Sequence, residues 1–255
     1  MKIVALPSSA RDPARLHYLT TFLVDGEVAI DAGCLGLHAT PAEQARVRDV
    51  FLTHSHADHT AALPMFLENV IEEGRDGPDV HGHEHTLASL EGDVFNDRVW
   101  PDFVAVRLGE RRLLRLHRLE REVAVTARGL SLTPVEVSHA VPTFGYLVED
   151  ESGSVAFSGD TGPTSRLWEL ARSRRNLRAV FLELSFPDER AELAQRAGHL
   201  TPASFAREIG KLGRRDVAVF AFHLKPRWRE RILEQLAALK LGGVEVAELG
   251  REYRI

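Results

Sequence analysis

The sequence predicts an α/β (α+β) protein, two packed β-sheets flanked by helices, forming one domain over residues 1–255. Three observations point there. Short apolar or alternating runs of strand length fall into two groups, one in each half of the chain. Each group closes on segments of helical spacing, among them Ser165–Ser173, Pro202–Leu212 and Trp228–Leu239. A hydrophobic content of 44% in 255 residues is ample for a sizeable core, and no repeat, low-complexity tract or Pro/Gly/Ser linker splits the chain.

Composition also narrows function. A formal charge of −5 and a pI near 6.2 provide no global attraction to nucleic acid or to an anionic membrane. The opening MKIVALPSS has too short an apolar stretch for a secretory signal, and no run approaches a membrane span. Cys34 is the single cysteine, which rules out an internal disulfide framework and fits a reducing compartment. The expectation is a soluble cytoplasmic protein.

Taken in order, Lys2–Leu6, Tyr18–Val24 and Glu27–Ile30 read as strands, with Asp25-Gly26 as a tight hairpin turn. VAIDAG ends in Asp31 and Gly33, beside Cys34, which reads as a packing residue. Pro41–Arg48 suits a short helix. A second helix is expected over Asp58–Glu73, from the spacing of Leu63, Phe66, Leu67 and Val70, stopping at Gly74. His81, His83 and His85 alternate in a metal-like spacing, but the first reads as a strand end and the third as a helix start, with no metal role. Val104–Val106, Leu113–Leu119 and Val123–Ala127 suit strands. The arginines between them are interrupted by Glu110, Glu120 and Glu122 and lack interleaved aromatics, so they read as a solvated face rather than an RNA surface. Leu130–Ser138, Thr143–Val148, Ser154–Ser158 and Val217–Phe222 complete the expected strands, with a turn at Glu149–Gly153.

The most informative stretch is Val50 to Thr60, VFLTHSHADHT. In extended chain, residues two apart point the same way, so His54 and His56 can grip one ion. The chain must then turn, which aims Asp58 and His59 toward a second ion. Ser55 and Ala57 are small enough to let the backbone lie close to both. Imidazole and carboxylate at this spacing, directly after a buried-strand signature, are metal-ligand chemistry.

HSHADH resembles the HxHxDH motif of the metallo-β-lactamase-fold hydrolases. The resemblance implies a four-layer αββα sandwich with two mostly antiparallel or mixed sheets, and it implies further ligands at later strand ends. On that basis His54, His56 and His139 hold one ion, Asp58, His59 and His223 hold the other, and Asp160, in SGDT, bridges them. Asp31 matches an aspartate that lies beneath the metal loop in such proteins and orients a ligand histidine. Zinc is the first expectation for the two divalent ions, with manganese or iron also compatible with imidazole-rich sites.

Two ions about 3.5–4 Å apart would hold a hydroxide between them and clamp a phosphodiester. Asn96, the run Trp100-Pro101-Asp102-Phe103, and FLELSFPDERAELAQRAGHLTP with FHLKPR resemble class II cyclic-nucleotide phosphodiesterases. The last two stretches also resemble tRNA 3′-processing ribonucleases, whose His-Glu-Ala-Thr and Gly-His-Ser-Thr motifs shuttle protons. Here Leu182-Glu183-Leu184-Ser185 and Gly198-His199-Leu200-Thr201 match them, so Glu183 and His199 are retained and the first histidine is Leu182. The resemblance implies a catalytic set of Asp58, His199 and Glu183, acting on 3′,5′-cyclic nucleotides such as cAMP to yield a nucleoside monophosphate. A tRNA 3′-processing activity, a thioester hydrolase and a non-catalytic metal or nucleotide sensor remain alternatives. The expected partner is a small phosphodiester, with neither nucleic acid nor membrane, and a homodimer would match the habit of relatives. Lys225 and Arg227 stay open between a substrate-phosphate contact and ordinary surface charge.

Overall fold

The computed structural model describes residues 1–8, 16–71 and 76–255. Its strands are β1 (Lys2–Ala5), β2 (Phe22–Val24), β3 (Val28–Ile30), β4 (Asp49–Phe51), β5 (Asp79–Gly82), β6 (Arg107–Leu108), β7 (Arg111–Arg112), β8 (Arg115–Arg118), β9 (Val125–Ala127), β10 (Leu130–Val137), β11 (Thr143–Glu149), β12 (Ser154–Phe157), β13 (Leu177–Glu183), β14 (Ala218–Phe222), β15 (Val244–Val246) and β16 (Glu252–Arg254). The helices are α1 (Pro41–Gln44), α2 (Ala57–Thr60), α3 (Leu63–Val70), α4 (Glu84–Ser89), α5 (Arg166–Ser173), α6 (Ala191–Ala197), α7 (Pro202–Leu212) and α8 (Arg229–Ala238). None of them is long and apolar enough to cross a membrane.

Two seven-stranded sheets carry the fold, in the orders β16-β1-β2-β3-β4-β5-β8 and β15-β14-β13-β12-β11-β10-β9. Both are mixed in the same way: one half pairs antiparallel and the other half, from β3 to β8 and from β12 to β15, pairs parallel. Parallel strands need crossovers, and these put helices on the outer faces.

Three apolar clusters separate the layers. Between the sheets, Phe22 meets the rings of Phe157, Phe181 and Phe222 edge-on with centroids 5.1–5.2 Å apart. The second cluster joins the second sheet to α5, α7 and α8 through Trp168, Phe205 and Ile232, and the third joins the first sheet to α3 through Phe66 and Leu67. Cys34 lies in that third cluster, as its packing role requires, and burial pushes its thiol up to about 11.

Several boundaries differ from the sequence expectation. The helix expected over Asp58–Glu73 is two helices, α2 and α3, because Pro64 lacks the N–H and would clash with the carbonyl one turn back. Its expected stop at Gly74, with Glu72 and Glu73, lies outside the described residues. The strand expected from Tyr18 starts only at Phe22, since the Thr20 N–H donates to the Asp58 carbonyl and the Thr20 carbonyl accepts from Gly33. Val104–Val106 is not a strand. Asp102 Oδ1 instead accepts from the N–H groups of Val104 and Ala105 in a turn, and the β6–β7 hairpin follows. Strands β13, β15 and β16 extend the expected set.

One bond ties the second sheet to the strand that leads into the metal-like loop. The buried Tyr146 hydroxyl donates to the Leu52 carbonyl at 2.6 Å. Tyr146→Phe is expected to cost about 1–3 kcal/mol, because a buried carbonyl loses its donor. Urea unfolding checks this; an unchanged midpoint would mean that the bond contributes nothing.

Candidate metal centre

The carboxyl ends of β4, β10, β12, β13 and β14 meet at one edge of the two sheets, and the predicted residues lie at those ends or in the segments that leave them. Their polar atoms form two groups. The ligand atoms of His54, His56 and His139 lie within 4.8 Å of one another, as do those of Asp58, His59, Asp160 and His223. Asp160 reaches toward both, with Oδ1 3.3 Å from His59 Nε2, and Oδ2 3.5 Å from His223 Nε2 and 3.9 Å from His54 Nε2.

The backbone is shaped for this convergence. Gly33 lies so close to the loop that a Cβ there would stand 2.1 Å from the Asp58 carbonyl oxygen. Gly159, at φ +60°, lets the chain turn into Asp160 beneath β11, where a Cβ would meet the Phe144 carbonyl at 2.9 Å. Asp31 and His223 adopt left-handed φ values of 62° and 64°, uncommon for residues with a side chain.

Four of the five imidazoles are tethered through Nδ1, which leaves Nε2 facing the centre. His54 Nδ1 donates to Thr53 Oγ1 at 2.9 Å, and that hydroxyl donates to Asp31. His59 Nδ1 donates to Asp31 Oδ2 at 2.6 Å, His139 Nδ1 to the Gly198 carbonyl at 2.8 Å, and His223 Nδ1 to Ser185 Oγ at 2.8 Å. His56 instead turns Nδ1 inward, 3.3 Å from His139 Nε2. Asp31 thus occupies the place under the loop that the resemblance assigned to it.

This arrangement fits a metal. His54 Nε2, His59 Nε2 and Asp160 Oδ1 are buried without a hydrogen-bond partner, and buried polar atoms are normally satisfied. Burial holds His54 well below the usual histidine range and His139 at about 4, which favours the neutral ligand form. Burial also opposes charge on His59, but Asp160 and Asp31 on either side outweigh it and raise that ring well above its ordinary value. For Asp58 burial works against ionisation, yet the neighbouring His223 and His59 imidazoles hold its carboxyl far below the usual range.

Beside the ligand groups stands the predicted proton-shuttling pair. Glu183, fully buried, accepts from His199 Nδ1 at 3.1 Å and from the Leu200 N–H at 2.9 Å. Burial alone would lower His199, but the Glu183 charge and hydrogen bond raise it. Lys225 Nζ lies 3.5 Å from Asp58 Oδ2 at the rim, and Arg227 lies against the Trp228 ring, 5.7 Å from its centroid.

Other histidines have different partners. His81 bonds Asp49 at 3.1 Å, and His83 caps α4 by accepting from the His85 N–H. The Asn96–Phe103 segment serves turn and packing roles: Asn96 Oδ1 accepts from the N–H groups of Arg98 and Val99, and Phe103 stacks on Phe95. Three contributors escaped the sequence reading. Thr53 is adjacent to the motif and Ser185 closes a matched one, so both had a local signal. His17 had none; its Nδ1 accepts the His223 backbone N–H at 3.2 Å, a contact made across 206 residues.

A double sheet with histidines and carboxylates converging on one edge defines a metal-dependent hydrolase. The chain belongs to the beta-lactamase superfamily, whose domain model matches residues 22–223. It is 26% identical over 232 residues to a 3′,5′-cyclic-nucleotide phosphodiesterase of Aliivibrio fischeri, covering 82% of this chain and 68% of that protein. It is also 25% identical to ribonuclease Z of Kineococcus radiotolerans, covering 100% of this chain and 91% of the other. Unliganded yeast PDE1 has the same fold, with a TM-score of 0.76 at 19% identity over 96% of both chains.

Proposed function

We propose that this protein is a dinuclear-metal phosphodiesterase that hydrolyses 3′,5′-cyclic nucleotides. The observation that carries the reading is the pair of adjacent ligand groups, with Asp160 in one of them and 3.9 Å from His54 of the other, and with Glu183 and His199 alongside. His54, His56 and His139 would hold one divalent ion, Asp58, His59 and His223 the other, and Asp160 would bridge. Bound ions supply Lewis acidity toward phosphoryl oxygen and a water acidified toward neutral pH.

The chain's own residues account for the remaining steps. Asp58 would accept a proton from the attacking water. As the bond from phosphorus to the ribose oxygen breaks, that oxygen needs a proton. His199, held at Nδ1 by Glu183, delivers one from Nε2. Lys225, beside Asp58, meets a phosphoryl oxygen of the substrate. The acidic net charge and the short Asp150–Gly153 turn between His139 and Asp160, where some tRNA-processing relatives carry a basic arm, favour a small substrate.

The test is hydrolysis of cAMP, a precursor tRNA and an aryl phosphodiester by protein of known metal content. Rapid cAMP turnover with inert tRNA is expected. Cleaved tRNA with inert cAMP would replace this reading with the ribonuclease one that the Kineococcus relative favours.

Asp31→Ala removes the acceptor that orients His59 and steadies Thr53. Its affinity for zinc is expected to fall roughly 10–100-fold, as is usual when such a partner is lost. Chelator competition measures it, and wild-type affinity would discard the orienting role.

A further inference from the structure

We propose that Ser185 is a positioning residue that joins the ion-binding imidazole of His223 to the carboxylate that holds His199. The inference rests on the metal reading above and deepens it. Ser185 is fully buried two residues beyond the end of β13. Its Oγ lies 2.8 Å from Glu183 Oε2 and 2.8 Å from His223 Nδ1. It is also 3.3 Å from His199 Nδ1 and from the His223 carbonyl oxygen.

Donor counting sets the directions. An ionised Glu183 and the His223 carbonyl both only accept, and the shorter contact, 2.8 against 3.3 Å, gives the single Ser185 proton to Oε2. The hydroxyl oxygen is then free to accept, and His223 must carry its proton on Nδ1. That tautomer leaves the Nε2 lone pair pointing at Asp58 and Asp160, 3.2 and 3.5 Å away. The other carboxylate oxygen, Oε1, holds His199 at 3.1 Å. One buried carboxylate therefore serves two imidazoles, one directly and one through a hydroxyl. His17 supports the same histidine from its backbone side but does not act on the ring tautomer.

Without the hydroxyl, His223 Nδ1 loses its acceptor and Glu183 Oε2 its donor, in a place where water does not replace them. The imidazole then has no group selecting its ligand tautomer. The consequence is weaker ion binding at the position that His223 shares with Asp58 and His59.

Two variants of nearly equal volume isolate the hydroxyl, Ser185→Thr and Ser185→Val. Zinc affinity is measured on the metal-free full chain by chelator competition, alongside its melting temperature. Val is expected to weaken at least one zinc roughly 10–100-fold while Thr stays within about threefold of wild type, the range typical of groups that orient metal ligands. Equal affinities for Thr, Val and wild type would overturn the proposal. So would equal losses in both variants, since volume rather than the hydroxyl would then be responsible. Zinc affinity is read without substrate, so inert cyclic nucleotide would remove the substrate assignment while these two variants still decide the role of Ser185.

Discussion

Asp160→Ala is expected to empty at least one of the two ion positions and, with it, to abolish turnover. Asp160 is 1% exposed, and its two oxygens approach His59, His223 and His54 at 3.3, 3.5 and 3.9 Å. Of the carboxylates at the site, Asp160 lies among Asp58, His59 and His223 and also approaches His54 of the other group, whereas Glu183 groups with His199 and His223. The substitution removes an anionic donor from each position at once, and an alanine methyl replaces neither charge nor lone pair. Loss of a mere orienting partner costs about 10–100-fold in metal affinity, so loss of a direct, shared ligand should exceed about 100-fold. Elemental analysis after gel filtration reads the result. Two ions per chain in the variant would contradict the bridging assignment.

For His199→Ala the expected pattern is the reverse, with turnover lost and metal kept. Its Nδ1 is committed to Glu183, and no nitrogen of the ring is needed to complete either proposed ligand set. Positioned proton transfer contributes typically about 10²–10⁴-fold, and kcat should fall within that range. The comparison should use cAMP and an aryl diester with a more acidic leaving group. A proton donor matters less when the leaving group departs readily, so the loss should be smaller for the aryl substrate. Loss of metal in His199→Ala, with unchanged turnover per bound metal, would make His199 a ligand instead.

Much of this architecture was legible locally. Val50–Leu52 announced a buried strand, and HSHADH followed it at a spacing that suits metal ligands. His139, Asp160 and His223 each follow a strand that its own alternation or apolar run revealed, so their shared edge could be anticipated. Less legible were the features set by contacts between distant segments. Tyr18–Thr21 has strand-like composition, yet the Thr20 amide is used by the Asp58 carbonyl instead of a neighbouring strand. Pro64 was a local warning that the helical spacing of Leu63–Val70 outweighed.

What the sequence determined by itself was the local chemistry, the HSHADH ligands by their spacing and the strands by their period, while the resemblance implied His139, Asp160 and His223. A strand's period and a motif's spacing act over a few residues, so the chain records them directly. Only the tertiary structure decided how each imidazole is presented. Thr53 and Asp31, the Gly198 carbonyl and Ser185 choose the nitrogen that faces the centre, and Glu183 serves His199 and Ser185 together. Those are hydrogen bonds between segments far apart in sequence, made where two sheets bring their strand ends together. Their directions depend on ångström-scale placement that no local pattern encodes.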